Sequence, residues 1–225
     1  MRMSARLGVL LLLLSPCVYP AWAASAAYQL DPVHTRVMFA VEHAGFSHAL
    51  GTVSGSTGQL QFDPDDWSTA RLEVSVPLQH LDLGNEKWNQ AVRASNLLDT
   101  TEFPSATFIS TRIEPIDPQR ASVYGILTLH GISKEVKLDV TLNALKRHPL
   151  PPFRRTAGFS ATATLSRADF GIDAWKSVIG DRVELRLEVE ATHARKSGAD
   201  EATDSDDSGI DPEHTTKPST EPTTP

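Results

Sequence analysis

Three histidines, His34, His43 and His48, lie close together in the chain and are the first side chains to test for chemistry. Imidazole can move protons near neutral pH and can ligate zinc, copper or iron. In a regular strand, however, His34 and His43 have opposite parity and point to opposite faces. A bend near Gly45 would bring His43 and His48 together, yet two ligands without a third make a poor metal site. The plainer reading is rim or strand-end histidines bonded to backbone, and no metal is expected. Paired carboxylates occur at Asp65-Asp66 and Asp206-Asp207, in a turn and in a polar tail. Neither place offers the burial that separates two carboxylate pKa values for acid–base work. Asp204, Asp206 and Gly209 match part of a calcium loop, but its fifth position is Ser208 and its twelfth is Thr215. There is no G-x-S-x-G, no phosphate-binding glycine loop and no H-E-x-x-H. No catalytic residue is assigned, and a non-enzymatic protein is expected.

The elements that would carry these residues are mostly strands. Leu72-Glu73-Val74-Ser75-Val76, Val136 to Leu142 and Val183 to Val189 alternate apolar with charged or hydroxyl residues. Side chains of a strand alternate faces, so each segment has one dry and one wet face. Eight strands are expected, over 35–43, 51–62, 71–78, 106–113, 122–130, 135–145, 156–165 and 182–192. Asp63-Pro64-Asp65-Asp66, Pro115-Ile116-Asp117-Pro118 and His148-Pro149-Leu150-Pro151-Pro152 are read as breaks between them. His130-Gly131-Ile132-Ser133 is short enough for a hairpin. An all-β antiparallel sheet of eight strands can close around a space about one small ligand wide.

One helix interrupts the pattern. Trp88, Ala91, Val92 and Ser95 recur at helical spacing, with Asn85 as its cap. This amphipathic helix follows the third strand and should cross an end or side of the sheet, with Leu97, Leu98 and Phe103 helping to close an opening. The stretch from Asp169 to Trp175 is read as a rim loop.

The inward faces decide what the sheet encloses. Ala157, Ala161 and Ala163 share a face with Phe159, and Gly125 is in phase with Leu127 and Leu129. Small inward residues leave volume for an apolar guest, but they also let a neighbouring aromatic pack closely. A cavity and a filled core both fit this pattern.

Residues 1–23 are read as a secretory leader: Arg2 and Arg6, an apolar run from Leu7 to Leu14, then Ala21-Trp22-Ala23. Cleavage is expected after Ala23, with Ala26 as the alternative. The apolar run is too short to span a bilayer, which takes about 20 residues. Cys17, the only cysteine, falls in this leader, so the mature chain has neither thiol chemistry nor a disulfide. Residues 24–196 form the expected domain. Residues 197–225, rich in Asp, Glu, Ser, Thr and Pro, are expected to be a disordered acidic tail. The tail holds eight acidic residues and one lysine and the leader two arginines, which leaves the domain −2 of the chain's −7. So weak a charge excludes nucleic acid as an expected partner.

The ordered motifs bear a resemblance. They are Tyr28-Gln29-Leu30-Asp31-Pro32-Val33-His34, Val37 to His43, Phe103 to Thr111, Gly125 to Lys134, Arg167-Ala168-Asp169-Phe170-Gly171-Ile172 and Gly180-Asp181-Arg182-Val183. From about Tyr28 to Ala191 the chain resembles the YceI-like, polyisoprenoid-binding periplasmic proteins. The resemblance implies an eight-stranded lipocalin-like barrel with a helix inserted after the third strand. It also implies a periplasmic carrier that holds a long isoprenoid lipid, of polyprenyl phosphate or quinone type. Val37, Phe39, Val41, Phe108, Leu127, Phe159, Ala161, Ala163 and Leu187 would then line the tunnel. His43 and Trp88 would join them, and Phe170 and Trp175 would shape one mouth. The family commonly has an Arg-Asp pair followed by His-Leu in the inserted helix, where this chain has Trp88-Asn89-Gln90-Ala91-Val92. Trp88 is therefore expected to supply apolar cover in place of a charged head-group contact. The lipid serves as ligand and no further cofactor is implied. Transient contact with the inner membrane or a membrane redox protein, and a homodimer, are compatible with this role. A stress-related interaction protein, or an enzyme acting on such a lipid, are the other classes considered.

Overall fold

The computed structural model describes residues 25–194. The expected leader and acidic tail lie outside them. Eleven strands make one antiparallel sheet: β1 (Ala26–Leu30), β2 (Arg36–His43), β3 (Ser47–Ser54), β4 (Thr57–Phe62), β5 (Arg71–Pro77), β6 (Leu81–Asp82), β7 (Ser105–Asp117), β8 (Arg120–Leu129), β9 (Ile132–Arg147), β10 (Arg155–Ser166) and β11 (Ile179–His193). β1 and β2 pair with consecutive stretches of β11, and β3 and β4 likewise continue one another. β5 and β6 form the third such broken strand. The chain thus makes eight antiparallel passes, and pairing of β1 and β2 with β11 closes them into a barrel. Closure leaves few free backbone groups at sheet edges, which is how antiparallel barrels avoid edge-to-edge association.

The breaks follow from local chemistry. Gly55, at φ +79°, separates β3 from β4, so the expected second strand bends midway. His130 and Gly131 both have positive φ (52° and 73°), which makes the β8–β9 connection a two-residue turn matched to strand twist. Pro115 does not break the sheet as expected. β7 runs on to Asp117, with Pro115 opposite Ala121 at an irregular step. β5 pairs with β7 only as far as Ile109, so the missing N–H of Pro115 removes no ladder bond on that side. β1 was not expected as a strand, because Ala26 and Ala27 carry no alternation. In the barrel, Tyr28 and Leu30 are buried from it.

The one α-helix among the described residues, α1 (Glu86–Arg93), lies in the insertion between β6 and β7. The Asn85 side chain accepts from the N–H groups of Lys87 (3.0 Å) and Trp88 (3.4 Å), capping it as expected. The helix ends before Ser95. Its buried Asn89 ties it to the strand below: Leu83 N–H donates to Asn89 Oδ1 (2.7 Å), and Asn89 Nδ2 donates to Asp82 (3.1 Å).

Candidate functional site

The two ends of the barrel differ. At the end that holds the β7–β8 and β9–β10 turns, Phe62, Trp67 and Phe159 meet edge to face, with centroids 5.1 to 6.2 Å apart. Tyr28, Leu30, Ile113 and Val123 complete this packed floor. Aromatic edge-to-face contact adds to simple area burial. The opposite end carries the β2–β3 and β8–β9 turns, α1 and the loop between β10 and β11. A second, smaller cluster of Leu97, Phe170 and Ile172 closes part of it.

Between floor and mouth lies a cavity of about 580 Å³, within the range of small-molecule sites. Its wall is hydrocarbon almost throughout. Val37, Phe39, Val41, Phe108, Leu127, Phe159, Ala161 and Leu187 all line it, as their strand parity requires. His43, Trp88, Phe170 and Trp175 line it at the mouth. Ala163 does not. It is in phase with Ala161 and opposite Leu185, but it packs into the apolar cluster, and longer neighbours such as Leu185 and Leu165 face the space. Leu97 and Leu98 also line the cavity, whereas Phe103 packs against His130 outside it.

The expected volume under small residues is partly taken up. A Cβ on Gly125 would lie 2.7 Å from Phe108 Cε2, so Phe108 occupies that place. Gly51 receives the Phe39 ring in the same way. Laying two rings against the wall at glycines keeps them out of the centre; at Gly125 this is the close aromatic packing that small inward residues permit, whereas nothing in the sequence singles out Gly51.

The mouth is built from three elements. The His43 and Trp88 rings pack tilted at 38° with centroids 5.4 Å apart, linking the end of β2 to α1. Trp175 holds a left-handed backbone (φ +60°), and its carbonyl accepts from Val178 and Ile179 N–H, both 2.8 Å. A non-glycine residue in that region is kept only when its surroundings demand it. Phe46, at the β2–β3 tip, is 92% exposed, and Trp175 and Trp88 are 61% and 45% exposed. Behind them the buried Arg167 staples the loop. Its guanidinium donates to the carbonyls of Gly180 (2.9 Å), Ile172 (2.6 Å) and Ile179 (2.8 Å).

The histidines do not converge. His48 pairs opposite Glu42, one place off His43, and so takes the other face. His34 lies outside the barrel, its Nδ1 2.8 Å from Asp31. The hydrogen bond to Asp31, and then the charges of Asp31 and Glu190, hold His34 above its ordinary pKa. Asp31 is held below its ordinary value although burial opposes this, because His34 and the N–H groups of Val33 and His34 donate to it. That Asp31 carboxylate closes a turn, which its sequence position did not reveal.

The arrangement defines a class: an antiparallel barrel closed at one end and built around an apolar cavity that opens at the other. The model of the YceI-like domain matches residues 28–191, and the chain belongs to that family. A protein of Shewanella baltica (strain OS185), named only as a UPF0312 protein, is 30% identical over 173 residues, covering 76% of this chain and 90% of its own. A second UPF0312 protein, from Pectobacterium carotovorum, is 29% identical and covers 78% and 90%. Among solved structures, Burkholderia cenocepacia BcnA superposes with a TM-score of 0.65 at 22% identity, covering 72% of this chain and 99% of that one. A Saccharophagus degradans domain described as polyisoprenoid binding superposes at 0.60 with 15% identity, covering 75% and 99%.

Proposed function

We propose that the protein is a non-enzymatic carrier for a long isoprenoid lipid, of polyprenyl phosphate or quinone type, held inside the barrel. The observation that carries this reading is the hydrocarbon-walled cavity of about 580 Å³. Such lipids are scarcely soluble in water, and sheltering about 300 Å² of apolar ligand surface is worth about 7 kcal/mol before the costs of association. The family membership and the description of the Saccharophagus degradans domain support the same ligand class. Apart from Glu42, His43 and Arg167 at the mouth, the lining carries no titratable side chain, which fits binding better than turnover. The leader read in residues 1–23 supports export, and the carrier would act in the periplasm.

Loading would occur from a membrane. Phe46, Trp88 and Trp175 stand exposed on three different elements around one mouth. Aromatic residues so placed suit the bilayer interface, where a lipid could pass directly into the cavity. Extraction of the native, full-length protein into organic solvent followed by mass spectrometry tests the proposal. An isoprenoid lipid in stoichiometric amount is the expected result. A protein that comes out empty, and then takes up neither quinones nor polyprenyl phosphates, would overturn it.

A further inference from the structure

The three histidines fail to gather with one another, but one of them gathers with two carboxylates. Asp31, His34 and Glu190 each offer a ligand atom that lies within 4.8 Å of the other two. Donors at zinc bond lengths of about 2.0–2.2 Å stand about 3–4 Å apart, so side-chain rotation alone would close these three on an ion. Their backbone is already fixed. Asp31 N–H donates to the Glu190 carbonyl (2.8 Å), and the hydroxyl of the buried Thr35 donates to the same oxygen (3.3 Å). Asp31 Oδ1 accepts from the N–H groups of Val33 (2.8 Å) and His34 (3.3 Å), which leaves Oδ2 turned toward His34 Nδ1. Ligands carried on such tied elements hold their geometry.

The row of charges on the outward side of β11 lacks a cation here. Arg182 pairs with Glu184 (3.2 Å) and Arg186 with Glu188 (2.9 Å). Glu190 continues that row half-buried, with no ion pair among the described residues. Its neighbour is instead a second carboxylate, Asp31. Two carboxylates so close repel unless positive charge lies between them. Beside them the outer wall is hollowed. β9 and β10 shift register between Gly158 and Phe159, and a Cβ on Gly158 would meet nothing within 4 Å. The resulting concavity, of about 270 Å³, is lined by both His34 and Glu190. Bulges of this kind are over-represented beside functional sites.

We propose that Asp31, His34 and Glu190 form a site for one divalent transition-metal ion of the zinc class on the outer wall of the barrel, with its remaining coordination open to this concavity. The donor set decides the class. One imidazole nitrogen with two carboxylate oxygens suits zinc, whereas calcium takes six to eight oxygens. Three protein ligands leave a fourth position for water or for an anionic group entering the concavity. None of the three lines the apolar cavity, so the site goes beyond the carrier reading and stands apart from it.

Zinc chloride titrated into the untagged, full-length protein tests this by calorimetry, with cobalt(II) as a spectroscopic probe. Glu190→Gln and Asp31→Asn keep side-chain shape and backbone contacts and remove one charge each; His34→Gln removes the nitrogen. One zinc per chain is expected, weakened about tenfold or more by each of the three variants. His48→Gln should change nothing, because that exposed imidazole lies on another strand. Cobalt should broaden the His34 ring protons and leave those of His48 sharp. Zinc should raise the melting temperature of the native protein and not that of Glu190→Gln, and excess calcium should not displace it. Absence of saturable zinc binding would overturn the inference, leaving a protonated His34 as the cation between the carboxylates. Equal zinc affinity in the native protein and in Glu190→Gln would overturn it too, by placing the ion on a lone histidine or on other acidic residues. Displacement by calcium would overturn the metal class. Each of these results leaves the carrier reading untouched.

Discussion

The outer end of the Phe39 ring lies over Gly51, its direct partner across the β2–β3 ladder, where a Cβ would come within 2.6 Å of Cε1 and 2.9 Å of Cε2. The glycine therefore sets how far the ring projects into the cavity. Gly51→Ala must displace the ring, because the three atoms nearest the new Cβ all belong to the Phe39 side chain. Overpacking of this kind costs about 1–3 kcal/mol. Affinity for a prenylated quinone should fall roughly fivefold or more, and Phe39→Leu in the same chain should restore part of it. Titration calorimetry on the single and double variants checks this.

Arg167 should matter more to the mouth than to the ligand. Its three carbonyl partners lie on both sides of the loop, at Ile172 and at Ile179 and Gly180. Arg167→Ala removes the donor from one buried and two part-buried carbonyls and should destabilise the fold by about 3 kcal/mol. Arg167→Lys, with a single point charge in place of the fork, should recover less than half of that loss. Urea denaturation gives the size. Limited proteolysis should show new cleavage between Asp173 and Val178.

The Asp31–His34 pair predicts a local pH dependence. The folded pKa of His34 is raised from 6.5, so its contribution is complete below that value and is lost as pH climbs through the raised one. The folded pKa of Asp31 is lowered from 3.8, so its contribution is complete above that value and is lost as pH falls through the lowered one. The pair is strongest between the two ordinary values. In Asp31→Asn the His34 pKa should fall back toward its ordinary value, as read by proton NMR, with the Glu190 charge still raising it. Global stability should hardly change, because the imidazole is exposed.

The mouth aromatics predict a membrane response without a stability response. Phe46 is 92% exposed, so Phe46→Ala should leave the melting temperature unchanged. The same change should reduce partitioning onto lipid vesicles roughly three- to tenfold, and Trp175→Ala should act alike. Sedimentation with vesicles reads both. Quinone affinity measured in detergent should move little for Phe46→Ala, since Phe46 is not part of the cavity wall.

Much of the barrel was legible because strand parity is a strict code. Val37, Phe39 and Val41, or Ala157, Phe159 and Ala161, turn to one side by alternation alone, and the structure places them there. The capped helix was equally legible from Asn85 and the spacing of Trp88, Ala91 and Val92. Less visible were features that depend on a neighbour. Pro115 reads as a breaker, but it stands in a strand whose far side beyond Ile109 pairs with no other strand. β1 turns only Ala26, Tyr28 and Leu30 inward and is made a strand by β4 and β11 on either side.

The sequence by itself determined an all-β chain of alternating strands with one inserted helix, since side-chain periodicity reports backbone geometry directly. Only the tertiary structure decided what the barrel encloses. Gly125 and Ala161 read alike as small inward residues, yet Phe108 covers the first while the second borders open space. Which outcome holds depends on the register that sets one strand's ring beside another's glycine. That register comes from closure of the whole sheet, which no single segment encodes. Trp67 shows the same limit: only in the folded barrel do Phe62 and Phe159, far from it or from each other in sequence, meet its ring edge to face.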